Sequence, residues 1–230
     1  MLKLMKLEWK KTKFGWYRNG AIIANVIMGA LLCLIGYVES NEGQPAFNGF
    51  EEAFVVIGAI VRATFIVFAA VLIVKLVIEE YKNKTITIMF SYPISRKKII
   101  ASKLCIVGGL TFITIIVSNV FVALVFFSVN AYLQFIPGSL PLEMVVQQVV
   151  SMFAFAFAAA GTSLIPLFFG MRKLSVPETI LSSILITAIV SAHNPVFSLA
   201  SIIYIPLSLA VVGLVLAAAT VRKVEQVDII

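Results

Sequence analysis

Six stretches of this chain are long and apolar enough to cross a lipid bilayer or nearly so, and no other feature limits the fold as much. A membrane helix needs about 20 mostly apolar residues to cross a hydrocarbon layer roughly 30 Å thick. Gly20 to Val38, Ala53 to Ile78, Leu104 to Val129, Met144 to Phe169, Val176 to Ala192 and Phe197 to Val221 meet or approach that length. The fifth is the shortest, and His193, Asn194 and Pro195 separate it from the sixth. Such turn-forming and helix-breaking residues favour a tight hairpin over one overlong helix. Composition agrees: 61% of residues are apolar and 13% charged, against roughly 45–50% and 25% in soluble domains. The expected fold is all-α, a polytopic membrane protein with six transmembrane helices forming one domain over residues 1–230. That length does not hold both a multi-span body and a nucleotide-hydrolysing domain of ordinary size, so energy coupling requires a partner chain.

The net charge is +7, and the position of the 18 basic residues decides what it means. Lys3, Lys6, Lys10, Lys11, Lys13 and Arg18 precede the first span, and six more lie between Lys82 and Lys103. Arg172 with Lys173, and Arg222 with Lys223, mark two further flanks. The alternate loops, Glu39 to Glu52 and Asn130 to Glu143, contain no Lys or Arg. This alternation is what the positive-inside rule produces; it places both termini in the cytoplasm and argues against nucleic acid as a partner. The N-terminal apolar run is span-length rather than the 7–15 residues of a signal core, so it reads as an uncleaved span. Before it, Lys3, Lys6, Lys10 and Lys13 repeat at helical spacing beside Met5, Trp9 and Trp16. The pattern predicts a short amphipathic helix on the inner membrane surface, with a disordered basic tail as the alternative.

Several chemistries are excluded. The single histidine has no Cys or Asp cluster beside it, so the usual zinc ligand set is missing. No Gly-x-x-x-x-Gly-Lys-Ser/Thr arrangement occurs, so the chain binds no nucleotide through such a loop and no cofactor is expected on it directly. Cys33 and Cys105 fall near opposite faces of the bilayer and do not form a disulfide with one another. Glu79-Glu80 followed by Lys84 faintly resembles the paired glutamates of glutamate-type intramembrane proteases, with lysine in place of their arginine. That makes an intramembrane protease the enzymatic alternative.

The connection from Glu79 to Lys98 is longer than a hairpin needs and mixes Ile86, Met89 and Phe90 with charges. A water-facing loop has little reason to carry those apolar side chains, so a short amphipathic segment docking on membrane or partner is expected. Pro93 stops a helix there, and Ser95 is placed to cap the third span, with Arg96, Lys97, Lys98 and Lys103 among inner-leaflet headgroups.

An acidic residue, Thr85, the Met89-Phe90 pair, Pro93, Ser95-Arg96 and a later Lys103 resemble the first cytoplasmic loop of type-two ATP-binding-cassette permeases. The similarity is nearest to the small six-span subunits of bacitracin-resistance and lantibiotic-immunity exporters. The resemblance implies a coupling helix seated on a cytoplasmic ATP-binding subunit, which would bind ATP and Mg. Glu79, Glu80, Thr85, Met89 and Phe90 would touch or position that subunit, and Pro93, Ser95 and Arg96 would fix the loop to the third span. It further implies a second permease subunit, identical or related, in a bacterial plasma membrane. The implied role is export of a hydrophobic or amphiphilic compound such as a peptide antibiotic. The alternative outside transport is a membrane anchor or sensor that recruits a cytoplasmic partner through the same loop.

Within the spans, Arg62 is the conspicuous charge, roughly 14 Å below the outer end of the second span at 1.5 Å per residue. A charge at that depth faces a wet cavity or bundle interior, or snorkels outward. The first reading makes Arg62 a substrate or lipid contact, with Glu143 as partner. Lys75 reaches the inner interface. Thr111, Thr114 and Ser118, then Ser151, Ala154, Ala158 and Thr162, then Thr179, Ser183 and Thr187, form one-face stripes of small or hydroxylated residues suited to close helix packing, with the lining of a path for an amphiphilic substrate as the alternative. Pro166 and Pro206 are expected to kink the fourth and sixth spans, and Ser175 with Glu178 has capping-box spacing ahead of the fifth.

Overall fold

A computed structural model of the chain describes residues 2–12, 14–41, 47, 49–83, 95–133, 136, 141–191 and 204–223. The described residues contain helices and no β-strand. A short helix α1 (Leu2–Lys11) precedes α2 (Gly15–Asn41) and α3 (Phe50–Ile73). A π-helical turn (Val74–Ile78) then runs directly into α4 (Glu79–Lys82). The chain continues with α5 (Arg96–Leu133), α6 (Leu142–Thr162), α7 (Ile165–Lys173), α8 (Val176–Val190) and α9 (Tyr204–Lys223).

Five helical segments are long and apolar enough to cross a membrane: Gly15–Ser40, Phe50–Lys82, Arg96–Leu133, Glu143–Lys173 and Tyr204–Arg222. The fifth expected span is the shorter apolar helix α8, of 15 residues. At 1.5 Å per residue it measures about 22 Å, less than a hydrocarbon core. The outward faces are apolar: Ile22, Ile23, Val26 and Ile27 on α2, Val117 and Leu124 on α5, and Leu181 and Leu185 on α8 are all exposed. In water such a surface would be a liability; in hydrocarbon it is the solvated face.

Helix α3 is the inner post. Its rows Ala53, Ile57, Val61, Phe65, Ala69 and Gly58, Arg62, Ile66, Ala70 are buried, so two faces are covered. It packs against α5 and α8, and also touches α2, α6 and α7. Small residues set the closest approaches. A Cβ on Gly161 of α6 would lie 2.8 Å from the Ala210 Cβ of α9, and one on Gly213 would overlap the Gly161 carbonyl oxygen. A Cβ on Gly170 of α7 would overlap the Thr179 Oγ1 of α8. Thr111, Ser118, Thr162, Thr179 and Ser183 are buried, and the Tyr17 and Thr114 hydroxyls lie 3.0 Å apart. Those members of the stripes sit inside the bundle where helices meet, whereas Ser151 lines a cavity between α3, α5 and α6.

Several boundaries differ from the sequence reading. The acidic pair Glu79-Glu80 does not begin a loop; it continues the second span's helix, because apolar Leu76, Val77 and Ile78 stay buried through the π turn. The third helix begins at Arg96, well before Leu104. The fourth span is divided: α6 ends at Thr162 and α7 starts at Ile165, with Pro166 in its first turn. The proline ring excludes the Thr162 carbonyl four residues earlier, which is where the helix breaks. Pro206 makes no mid-helix kink among the described residues; it stands in the first described turn of α9. Ser175 occupies the N-cap position of α8 without a side-chain cap bond, and Glu178 instead accepts from Lys173 Nζ at 2.7 Å. The hairpin residues His193, Asn194 and Pro195 lie outside the described residues.

The N-terminal helix ends at Lys11 and differs from a simple surface helix. Phe14 and Trp16 pack on the core with Met5, whereas Trp9 is half exposed. Lys75 Nζ lies 4.2 Å from the Trp16 ring centroid, a cation–π contact at the head of α2.

Candidate functional site

Among the described residues, two regions bring ionisable groups into the bundle interior, one towards each end of the second span. The first lies beside α1. Glu8, the single acidic residue among the first 38, is 4% exposed, and Lys103 on α5 is wholly buried. Lys103 Nζ donates to Glu8 Oε2 at 2.9 Å and lies 3.0 Å from Glu80 Oε2. Lys11 Nζ, one turn beyond Glu8, donates to Glu80 Oε1 at 2.8 Å. Two carboxylates and two ammonium groups thus alternate across α1, α4 and α5. A buried charge is tolerated only when paired in this way.

The geometry gives the cluster a particular place. Glu80 is on the stem that leads into the connection after Asn83, and Lys103 is on the stem that returns from it. Their contact closes the base of that connection, and α1 is fastened to both stems. Ser95 sits at the N-cap position of α5, its carbonyl accepting from the Lys98 and Ile99 N–H groups at 2.9 and 3.4 Å. Arg96 is the first residue of α5 and Glu79 is exposed on α4. Thr85, Met89, Phe90 and Pro93 lie outside the described residues.

The second region is a cavity of about 570 Å³ between α3, α5 and α6, at the end away from α1. Arg62 and Glu143, nominated together from the sequence, both line it. Arg62 is 5% exposed and does not snorkel to the surface; its guanidinium carbon stands 4.5 Å from the Phe155 ring centroid. Gly58, one turn earlier on α3, makes the room: a Cβ there would lie 3.1 Å from Arg62 Nη1 and 3.8 Å from Asn119 Oδ1. Gln147, Gln148 and Ser151 of α6 supply further polar lining.

Sequence reasoning missed Glu8, Lys11 and Lys103 as a unit, because Lys103 was assigned to headgroups. The available signal was a lone glutamate in a basic segment. It also missed Asn119 and Gly58, which were detectable as an amide inside an apolar span and as a glycine one helical turn from an intramembrane arginine.

Comparison with known proteins agrees with this architecture. Residues 4–194 match the family model described as ABC-2 family transporter protein. The chain is 54% identical over 227 residues to "Uncharacterized protein YcbO" of Bacillus subtilis (strain 168), covering 99% of this chain and 100% of the relative. No solved structure matches. The chain belongs to the ABC-2 family of transporter proteins, as a multi-pass membrane permease subunit whose ATP hydrolysis is carried out by a separate ATP-binding subunit.

Proposed function

We propose that this subunit exports a hydrophobic or amphiphilic compound, such as a peptide antibiotic of the bacitracin or lantibiotic kind, from a bacterial plasma membrane. Both termini face the cytoplasm, α8 completes a set of six spans, and two permease subunits assemble with two ATPase subunits that bind ATP and Mg. The connection between Asn83 and Ser95 receives the motion of the ATPase, with Met89 and Phe90 as its apolar contact, Thr85 and Pro93 setting its course, and Glu79, Glu80 and Arg96 on the helical stems that carry it. Arg62 and Glu143 face the transported compound or a lipid.

The observation that carries this reading is the Lys103 contact with Glu80 and Glu8 at 3.0 and 2.9 Å. It ties the two stems of the connection and α1 into one unit, so a push on the connection is delivered to α3 and α5 together. A membrane anchor needs no such stiff link into the bundle interior. The test is co-purification and ATPase measurement with Met89→Asp/Phe90→Asp. Loss of the ATPase subunit, or of substrate-stimulated hydrolysis in vesicles, is expected. Unchanged recovery and stimulation would overturn the docking role, and hydrolysis insensitive to every amphiphile tried would favour the anchor.

A further inference from the structure

We infer that the cavity around Arg62 binds an acidic amphiphile, holding its phosphate or carboxylate at Arg62 and its apolar chain in the groove between α5 and α6. The inference rests on the reading of the chain as an amphiphile permease and names the chemical class that this site takes.

The first observation is the cavity itself. Its volume of about 570 Å³ falls within the range of small-molecule sites, roughly 300–1,000 Å³. At its deep end stands a cation that is 5% exposed, far from either end of a span-length helix. A guanidinium offers a planar fork of donors that matches carboxylate or phosphate oxygens, and the low dielectric around it strengthens that attraction. Gly58 lets the guanidinium lie close against α3 within the cavity wall, since a Cβ there would fall 3.1 Å from Nη1. Asn119 and Gln148 lie in the same wall and provide neutral hydrogen-bonding groups.

The second observation is what adjoins the cavity. A groove of about 490 Å³ shares Phe54, Asn119, Gln148 and Met152 with it. Beyond those four residues the groove is lined by apolar groups, among them Val120, Leu124 and Val149, and by Asn130, whose Oδ1 already accepts from the Ile136 N–H at 2.8 Å. Val120, Leu124 and Val149 are exposed on the lipid-facing surface of α5 and α6. A polar chamber and an apolar, laterally open groove therefore meet along one wall, the arrangement that fits a molecule with a charged head and a hydrocarbon tail.

The third observation selects the route. Glu51 and Glu143 line the chamber on the first turns of α3 and α6. Glu51 is 11 residues from Arg62, about 16 Å along the helix. A small soluble anion entering at that end meets two carboxylates before it meets the arginine. An amphiphile entering sideways from the membrane reaches Arg62 through the groove and avoids them. The site thus favours a lipid-borne acid over free phosphate.

The test uses the full chain in phosphatidylcholine nanodiscs without ATPase or nucleotide, with radiolabelled dodecyl phosphate as probe. Saturable binding is expected, displaced by dodecanoate but not by dodecyltrimethylammonium or inorganic phosphate at equal concentration. Arg62→Gln should weaken binding at least tenfold and Arg62→Lys less so. Val149→Trp, which blocks the groove without touching the charge, should weaken it at least fivefold and decides the matter if Arg62→Gln does not fold. Wild-type affinity in both Arg62→Gln and Val149→Trp overturns the proposal. Equal displacement by the cationic amphiphile overturns the charge assignment, and equal displacement by inorganic phosphate overturns the lipid-borne ligand. Because binding is read without hydrolysis, its failure beside intact ATPase coupling removes this site alone. Failure of coupling beside intact binding removes the export reading alone.

Discussion

Lys103 on α5 and Glu8 on α1, 95 residues apart in sequence, meet at 2.9 Å with both side chains almost wholly buried. The contact makes α1 an integral part of the bundle. Glu80 at 3.0 Å completes the charge balance around the ammonium group.

Removing the lysine alone is therefore the damaging change. Lys103→Met leaves the Glu8 carboxylate buried without its cation, and breaking a buried pair in this way costs about 3–5 kcal/mol. The unfolding midpoint in detergent should fall sharply. The paired Glu8→Met/Lys103→Met variant should recover most of that loss, because apolar side chains of similar volume replace a buried ion pair at little cost. If Lys103→Met melts with the wild type, the buried network is not formed in solution.

The crossing of α6 and α9 depends on two glycines. Gly161→Ala would put a Cβ 2.8 Å from that of Ala210 and 3.1 Å from its Cα. Gly213→Ala would drive a methyl group into the Gly161 carbonyl, a backbone atom that cannot rotate away. Overpacking of this kind costs about 1–3 kcal/mol. Thermal denaturation should show both variants destabilised, Gly213→Ala the more so. A neutral result at both sites would mean that the helices cross farther apart.

Leu174, between α7 and α8, has φ 50° and ψ 41°, the left-handed conformation that glycine adopts without penalty. Leu174 is 39% exposed and hence more than half covered, so its truncation sets lost apolar burial against the relief of that strain. Leu174→Gly should therefore change the melting temperature little, whereas Leu174→Val should destabilise clearly, since β-branched side chains tolerate this region least. The reverse order of melting temperatures would refute the assignment of strain.

Orientation is testable with single cysteines in a chain from which Cys33 and Cys105 have been replaced. Lys10 on α1 and Ser40 near the end of α2 are both exposed. A membrane-impermeant maleimide should label Ser40→Cys in intact cells and Lys10→Cys only after permeabilisation. The opposite pattern would invert the proposed topology.

Much of the helical layout was legible in the sequence because burying a backbone in hydrocarbon demands long apolar runs, and those runs are visible in one dimension. The stripes of small and hydroxylated residues were legible for a similar reason, since close packing requires small residues at helical spacing; the close approaches at Gly161, Gly170 and Gly213 were not. Arg62 was legible as a charge inside a span, because charges are rare among apolar residues; the structure places it and Glu143 in the lining of one cavity. Boundaries were less so: Glu79 and Glu80 read as loop because they are charged, whereas the helix continues through them on the strength of its buried apolar neighbours.

By itself the sequence determined a helical membrane body, the approximate place of its spans and an interruption of the fourth at Pro166. Only the tertiary structure decided that Lys103 faces Glu8 and Glu80 rather than headgroups. It also decided that Gly58, Arg62 and Asn119 share one chamber and that the chamber adjoins an apolar groove. Periodicity states which face of a helix is polar, but the partner across that face depends on how helices distant in sequence are turned against one another. That rotation is set by the packing of the whole bundle around α3.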